Sequence, residues 1–142
     1  MAGHTYASSG TFTVCLTVTD TASQTDIEPQ SVTVSAAGDS CTGCAEYVGA
    51  LSGTGDFGYQ PNGTYYYGGV SGTHRGWLRG PSNTDFDLYL QRWNGVWWVT
   101  VARSESATSE EQIAYSGTPG YYRWRVSSYS GSGTYTFWLQ RP

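Results

Sequence analysis

Residues 85–101 read DFDLYLQRWNGVWWVTV, and the alternation of apolar and polar side chains on either side of Asn94 and Gly95 constrains the fold more than any other stretch. A period of two marks a half-buried strand. An Asn-Gly pair between two such runs is the strongest short signal for a two-residue type I′ hairpin. With Asn94 and Gly95 as the loop, Trp93 pairs with Val96, Arg92 with Trp97, Gln91 with Trp98, Leu90 with Val99, Tyr89 with Thr100 and Leu88 with Val101. Paired residues share a face of the sheet, and faces alternate along each strand. One face is therefore expected to gather Phe86, Leu88, Leu90, Val99 and Val101 into the core, ending in Arg92 and Trp97. The other gathers Asp85, Asp87, Tyr89, Gln91, Trp93, Val96, Trp98 and Thr100, and its outer pair Trp93 and Trp98 is expected to be bare.

The same alternation runs on. It places Tyr122, Trp124 and Val126 inward with Tyr121, Arg123 and Arg125 outward, and Tyr135, Phe137 and Leu139 inward with Trp138 outward. In HRGWLRG, Leu78 is the core residue, which leaves Arg75, Trp77 and Arg79 outside. With 19 glycines, 15 % aromatic and only 13 % charged residues, the chain reads as all-β with short strands and many turns. Near the start, Phe12, Val14, Leu16 and Val18 alternate with threonines and Cys15, and Val32 and Val34 begin a second strand. Two strands alone leave an apolar face uncovered, so residues 10–36 need a partner, and self-association through them is one expectation. Residues 37–46, small and polar, read as a linker.

Charge and motifs narrow the function. The net charge is −4 and every basic residue is arginine, which argues against nucleic acid as a partner. No apolar run approaches the roughly 18 residues that span a membrane, so no membrane partner is expected. The opening MAGHTYASSG lacks the basic start and apolar stretch of a signal peptide, so secretion would depend on a leader outside this sequence. His4 and His74 sit in no catalytic motif, and GDSC at 38–41 lacks the glycines of a serine-protease nucleophile; no enzymatic activity is expected. Cys41-x-x-Cys44 has no second pair to complete a zinc site and suits a small disulfide loop in an extracellular protein. Cys15 reads as a tolerated surface thiol.

GTGD at 53–56, DFDLYL at 85–90 and GYYRWRVSSYSGSGTYTFWL at 120–139 together resemble the bacterial pre-peptidase C-terminal domain, over nearly all of residues 47–142. The resemblance implies a jelly-roll-like antiparallel β-sandwich, appended without catalytic function to secreted hydrolases, with collagen-binding modules among its relatives. GHTYASSGTFTVCLTVTD at 3–20 resembles the end of a PKD-type repeat, an immunoglobulin-like sandwich, which would make residues 1–36 its last two strands. The implied function is an extracellular accessory module that holds its parent hydrolase, in the same polypeptide, on an insoluble polymer, either collagen-like protein or polysaccharide. Outward Trp77, Tyr89, Trp93, Trp98 and Trp138, with Arg75 and Arg79 among them, are the expected ligand-binding residues. The competing expectation is a cleavable folding or maturation domain without a ligand, its rings covered by loops such as YYYGGV or by arginine stems. In the collagen-binding relatives an early Asp-x-Asp and linker carboxylates hold calcium; the resemblance places Asp56 at the first Asp, Gly58 at the second, and Asp39 and Glu46 in the linker.

Overall fold

The computed structural model describes residues 10–19, 21–22, 24–34 and 41–142. The chain divides into two compact units, Met1–Asp39 and Ser40–Pro142. In the first, β1 (Gly10–Thr19) and β2 (Thr25–Val34) pair antiparallel from Gly10 against Val34 to Thr19 against Thr25. The apolar side chains on which self-association was expected to depend, and the side chain of Cys15, lie outside the described residues.

The second unit is an all-β sandwich of nine strands: β3 (Ala45–Leu51), β4 (Phe57–Gln60), β5 (Tyr66–Gly68), β6 (Gly72–Arg79), β7 (Asp85–Trp93), β8 (Trp98–Ser104), β9 (Glu110–Gly117), β10 (Gly120–Ser130) and β11 (Gly133–Gln140). β3 starts two residues inside the stretch read as linker. One sheet runs β3-β11-β6-β9; the other runs β4-β10-β7-β8, with β5 also paired to β10, and all pairings are antiparallel. Among the described residues of this unit, only the β7–β8 connection joins hydrogen-bonded neighbours. Every other link from β5 onward crosses between sheets, which is what wraps them into a sandwich. No helix among the described residues is long and apolar enough to cross a membrane.

Alternation decides which residues fill the space between the sheets. Phe86, Leu88, Leu90, Tyr122, Trp124 and Val126 project from one sheet, and Leu78, Ile113, Tyr135, Phe137 and Leu139 from the other, all buried. Each such side chain contributes roughly 1.5–3 kcal/mol through removal from water. Trp124 meets Phe137 across the core with ring centroids 5.3 Å apart. It fits because position 76 on β6 is glycine: a Cβ there would stand 2.6 Å from the Trp124 ring.

The β7–β8 hairpin turns later than the Asn-Gly rule predicts. Trp93 pairs with Trp98 instead of Val96, which leaves residues 94–97 as a four-residue loop. Asn94 provides the reason. Its Oδ1 accepts hydrogen bonds from the N–H groups of Val96 and Trp97, both at 2.9 Å, while its own N–H donates to the Trp97 carbonyl at 3.2 Å. The side chain thus closes the loop, as Asx turns do, and Gly95 takes the positive φ of 102°. A register shift between Leu90 and Gln91 then sets Leu90 opposite Ala102, where Val99 was expected. Val99 is consequently 38 % exposed, and Trp97, expected at the end of the core face, is 63 % exposed in the loop. Val101 and Ala102 pack against the core in their place.

His74 is the unusual member of that core. It is fully buried; its Nδ1 lies 2.8 Å from the Tyr66 hydroxyl, and its Nε2 has no partner. Its ring packs on Tyr66 and Tyr122 and against Gly68 and Gly117. An imidazolium needs two acceptors, so burial lowers the His74 pKa below 6.5 and holds the ring neutral. In the unfolded chain the ring takes up a proton near pH 6.5 that the folded state refuses, so stability falls as pH drops through that value. The loss is at most about 1.4 kcal/mol per pH unit. Urea unfolding at pH 7.5 and 5.5 checks this: the midpoint should fall on acidification in the wild type more than in His74→Phe. An equal fall in both would show that His74 is not the group responsible.

Candidate ligand-binding site

The outward residues of the sandwich separate onto two opposite faces. Trp77 and Trp138 pair on the outside of the four-stranded sheet with Arg75 and Arg79, while Tyr89, Trp93 and Trp98 lie outside the five-stranded sheet. The expected set is therefore not one cluster, since residues outward from two facing sheets point in opposite directions. On the four-stranded side the polar groups are engaged: Trp138 Nε1 donates to Glu46 Oε2 at 3.0 Å, Arg75 Nη1 to Gln140 Oε1 at 3.2 Å, and Arg79 pairs with Glu110 at 3.5 Å.

The five-stranded side is built differently. β10 carries Tyr121, Arg123 and Arg125 on its outer face, between β7 and the strands β4 and β5. Arg123 lies between two rings, its Cζ 3.9 Å from the centroid of Tyr59 and 4.5 Å from that of Trp98. Its Nε donates to Gln91 Oε1 at 2.8 Å, which fixes the plane of the guanidinium. Arg125 lies 4.5 Å over Phe57 and 5.8 Å from Tyr89. Burial lowers the pKa of Arg123, partly offset by Tyr59, yet a guanidinium stays charged in any such setting. These stacks, each worth roughly 0.5–1 kcal/mol, turn the arginines into spacers that hold the rings apart and upright.

At the hairpin end the rings converge. The turn after β4, with Asn62 and Gly63 both at positive φ, delivers Tyr65 beside Trp98, centroids 5.6 Å apart. Trp93 lies 5.5 Å from Trp98 on the other side, and Tyr121 lies 5.6 Å from Tyr65. Tyr65, Trp93, Trp98 and Tyr121 line a cavity of about 230 Å³. Tyr67 supports Tyr121 from behind at 5.0 Å. Trp93 is 36 % exposed, so it is open as expected, whereas Trp98 is half-buried by Tyr65 and Arg123. Tyr65, Tyr67 and Tyr121 were not among the expected ligand residues; Tyr65 and Tyr67 belong to the YYYGGV loop, and Tyr121 was expected only as outward. The contacts of Tyr65 and Arg123 with Trp98 match in part the competing expectation of rings covered by that loop and by arginine stems. In TYYYG the outward, inward, outward pattern of a short strand sets Tyr65 and Tyr67 on the side opposite Tyr66.

The opposite end of the same face is acidic. Asp85, Asp87, Glu105, Tyr89 and Tyr129 line a groove of about 460 Å³, where the Tyr89 hydroxyl donates to Glu105 at 2.7 Å and to Asp87 at 3.3 Å. Burial, with Asp85, Glu105 and Glu111 nearby, raises the pKa of Asp87. Asp87 is buried although it lies on the outer face.

Asp56 serves its own turn. Its Oδ2 accepts from the N–H and Oγ of Ser52, and its Oδ1 from the N–H of Phe57, contacts that lower its pKa. Glu46 accepts from Trp138, and Asp39 lies outside the described residues. No group of three or more His, Cys, Asp or Glu side chains converges among the described residues. Cys41 and Cys44 are joined by a disulfide, with Cα atoms 5.6 Å apart.

This architecture, two antiparallel sheets face to face around one core, defines an all-β sandwich domain. No family model matches the chain. Among solved structures, the pre-peptidase C-terminal domain of a collagenase from Bacillus anthracis superposes with a TM-score of 0.56 at 14 % identity, over 68 % of this chain and 89 % of that one. The Yersinia pseudotuberculosis-derived mitogen superposes with a TM-score of 0.53 at 19 % identity, over 70 % and 86 %. At such identities the likeness is one of fold alone.

Proposed function

We propose that this chain is a non-catalytic binding module of a secreted hydrolase, probing an insoluble extracellular polymer with the outer face of its five-stranded sheet. The observation that carries the reading is the convergence of Tyr65, Trp93, Trp98 and Tyr121 into one open cavity, braced by the Arg123 stack. Exposed clustered aromatics mark interaction surfaces. Tethering raises the local concentration of substrate for the attached enzyme without any chemistry in the module. The likeness of the fold to the collagenase domain, and the resemblance of residues 47–142 to its family, agree with this role. The four-stranded face, where Trp138, Arg75 and Arg79 are tied into hydrogen bonds and an ion pair, is given no part in it.

Pull-down of the full chain on insoluble collagen, cellulose, chitin and xylan tests the reading. At least one polymer should retain the wild type and release the Trp93→Ala, Trp98→Ala double variant. Retention by none, or equal retention of both proteins, would leave a maturation domain without a ligand as the better account.

A further inference from the structure

The cavity at the hairpin end carries a statement about ligand class, resting on the reading of this face as a binding face. Its walls are steeply set: Tyr65 and Trp98 at 44°, Trp93 and Trp98 at 57°, Tyr65 and Tyr121 at 87°. Rings at such angles make a cup and not a platform. A triple helix or a crystalline polymer surface would touch only its rim, whereas one ring of a flexible chain can enter. About 230 Å³ is the share of liquid occupied by roughly eight waters, room for a single saturated ring and its substituents.

Charge narrows the ligand further. Aromatic cups also take quaternary ammonium groups, but here the Arg123 guanidinium already lies 4.5 Å over Trp98, so a cation entering beside it meets a like charge. The carboxylates that would favour a cation, Asp85, Asp87 and Glu105, lie at the far end of β7 in their own groove. Arg123, stacked between two rings with its Nε committed to Gln91, keeps its Nη donors. A neutral or anionic ligand is left. The hydroxyls of Tyr65 and Tyr121 and the indole N–H groups of Trp93 and Trp98 make no hydrogen bond within the described residues. They suit a ligand with C–H faces and many hydroxyls on its edge better than a proline, which offers one carbonyl.

The geometry points to a carbohydrate subsite: the cup formed by Tyr65, Trp93, Trp98 and Tyr121 receives one pyranose residue of a glycan chain, stacked on Trp98. Calorimetric and fluorescence titration of the full chain with cellohexaose, xylohexaose, chitohexaose and maltohexaose, and with a Pro-Pro-Gly repeat peptide, tests it. One hexasaccharide should bind and quench indole emission, and the peptide should not. Tyr65→Ala and Tyr121→Ala should each weaken that binding about tenfold, equal to about 1.4 kcal/mol. Both residues are exposed, so their thermal midpoints should match the wild type, and Trp98→Phe should keep most of the affinity. Binding of the peptide alone, of no hexasaccharide, or with wild-type affinity in both tyrosine variants would overturn the subsite. Polymer retention without hexasaccharide binding would sink the cup and leave the binding face standing; no retention at all would sink both.

Discussion

Trp124→Ala is expected to lower the stability of the sandwich by about 3–5 kcal/mol. Trp124 is fully buried, faces Phe137 at 5.3 Å and sits on the space left by Gly76. Alanine removes the largest side chain of the core, and the rigid neighbours on both sheets cannot close the void. Domains of this size are stable by roughly 5–15 kcal/mol, so the variant stands near the limit of folding. Urea unfolding followed by circular dichroism reads the effect directly. A loss under about 1 kcal/mol would mean that the core collapses around the hole, contrary to its close packing.

Much of this core was legible in the sequence. The period of two in DFDLYL, YYRWRV and TYTFWL assigned Phe86, Leu88, Leu90, Tyr122, Trp124, Val126, Tyr135, Phe137 and Leu139 to the interior, and all are buried. Alternation reports on one strand at a time, and here it was clear. What it could not convey was which strands share a sheet. Within the sandwich, among the described residues, only β7 and β8 are both consecutive and paired, so every other pairing there is non-local, and the tryptophans outward from β6 and β11 could not be told apart from those outward from β7 and β8. That is why Trp77 and Trp138 were grouped with Trp93 and Trp98 although a whole sandwich separates them.

The hairpin itself shows a subtler limit. Asn-Gly identified the turn correctly but not its length, because the Asn94 side chain, accepting two backbone N–H groups, substitutes for ladder bonds that a two-residue loop would have made. The two-residue delay preserved the face of Trp98 while moving Trp97 into the loop. The later shift at Leu90 exchanged Val99 for Ala102. Tyr65 entered the site for a third reason: its position depends on a turn whose left-handed residues, Asn62 and Gly63, give no indication of where the following strand docks.

The division of the tryptophans between two faces leads to the second large effect. Trp98 touches Tyr65, Trp93 and Arg123 at once, so its removal opens the cup and frees the guanidinium that keeps the rings upright. As a central aromatic anchor it should account for about 2 kcal/mol of binding, close to thirtyfold in affinity. Trp77 is of the same residue type and similarly half-buried, but lies on the other face. Side by side, the full-length Trp98→Ala and Trp77→Ala proteins should therefore behave differently on whichever polymer retains the wild type. The most direct measurement is their binding isotherms on that polymer, with thermal midpoints recorded for both. A roughly thirtyfold loss for Trp98→Ala and an unchanged isotherm for Trp77→Ala is the predicted result. Equal losses, or a loss confined to Trp77→Ala, would contradict the assignment of binding to the five-stranded face.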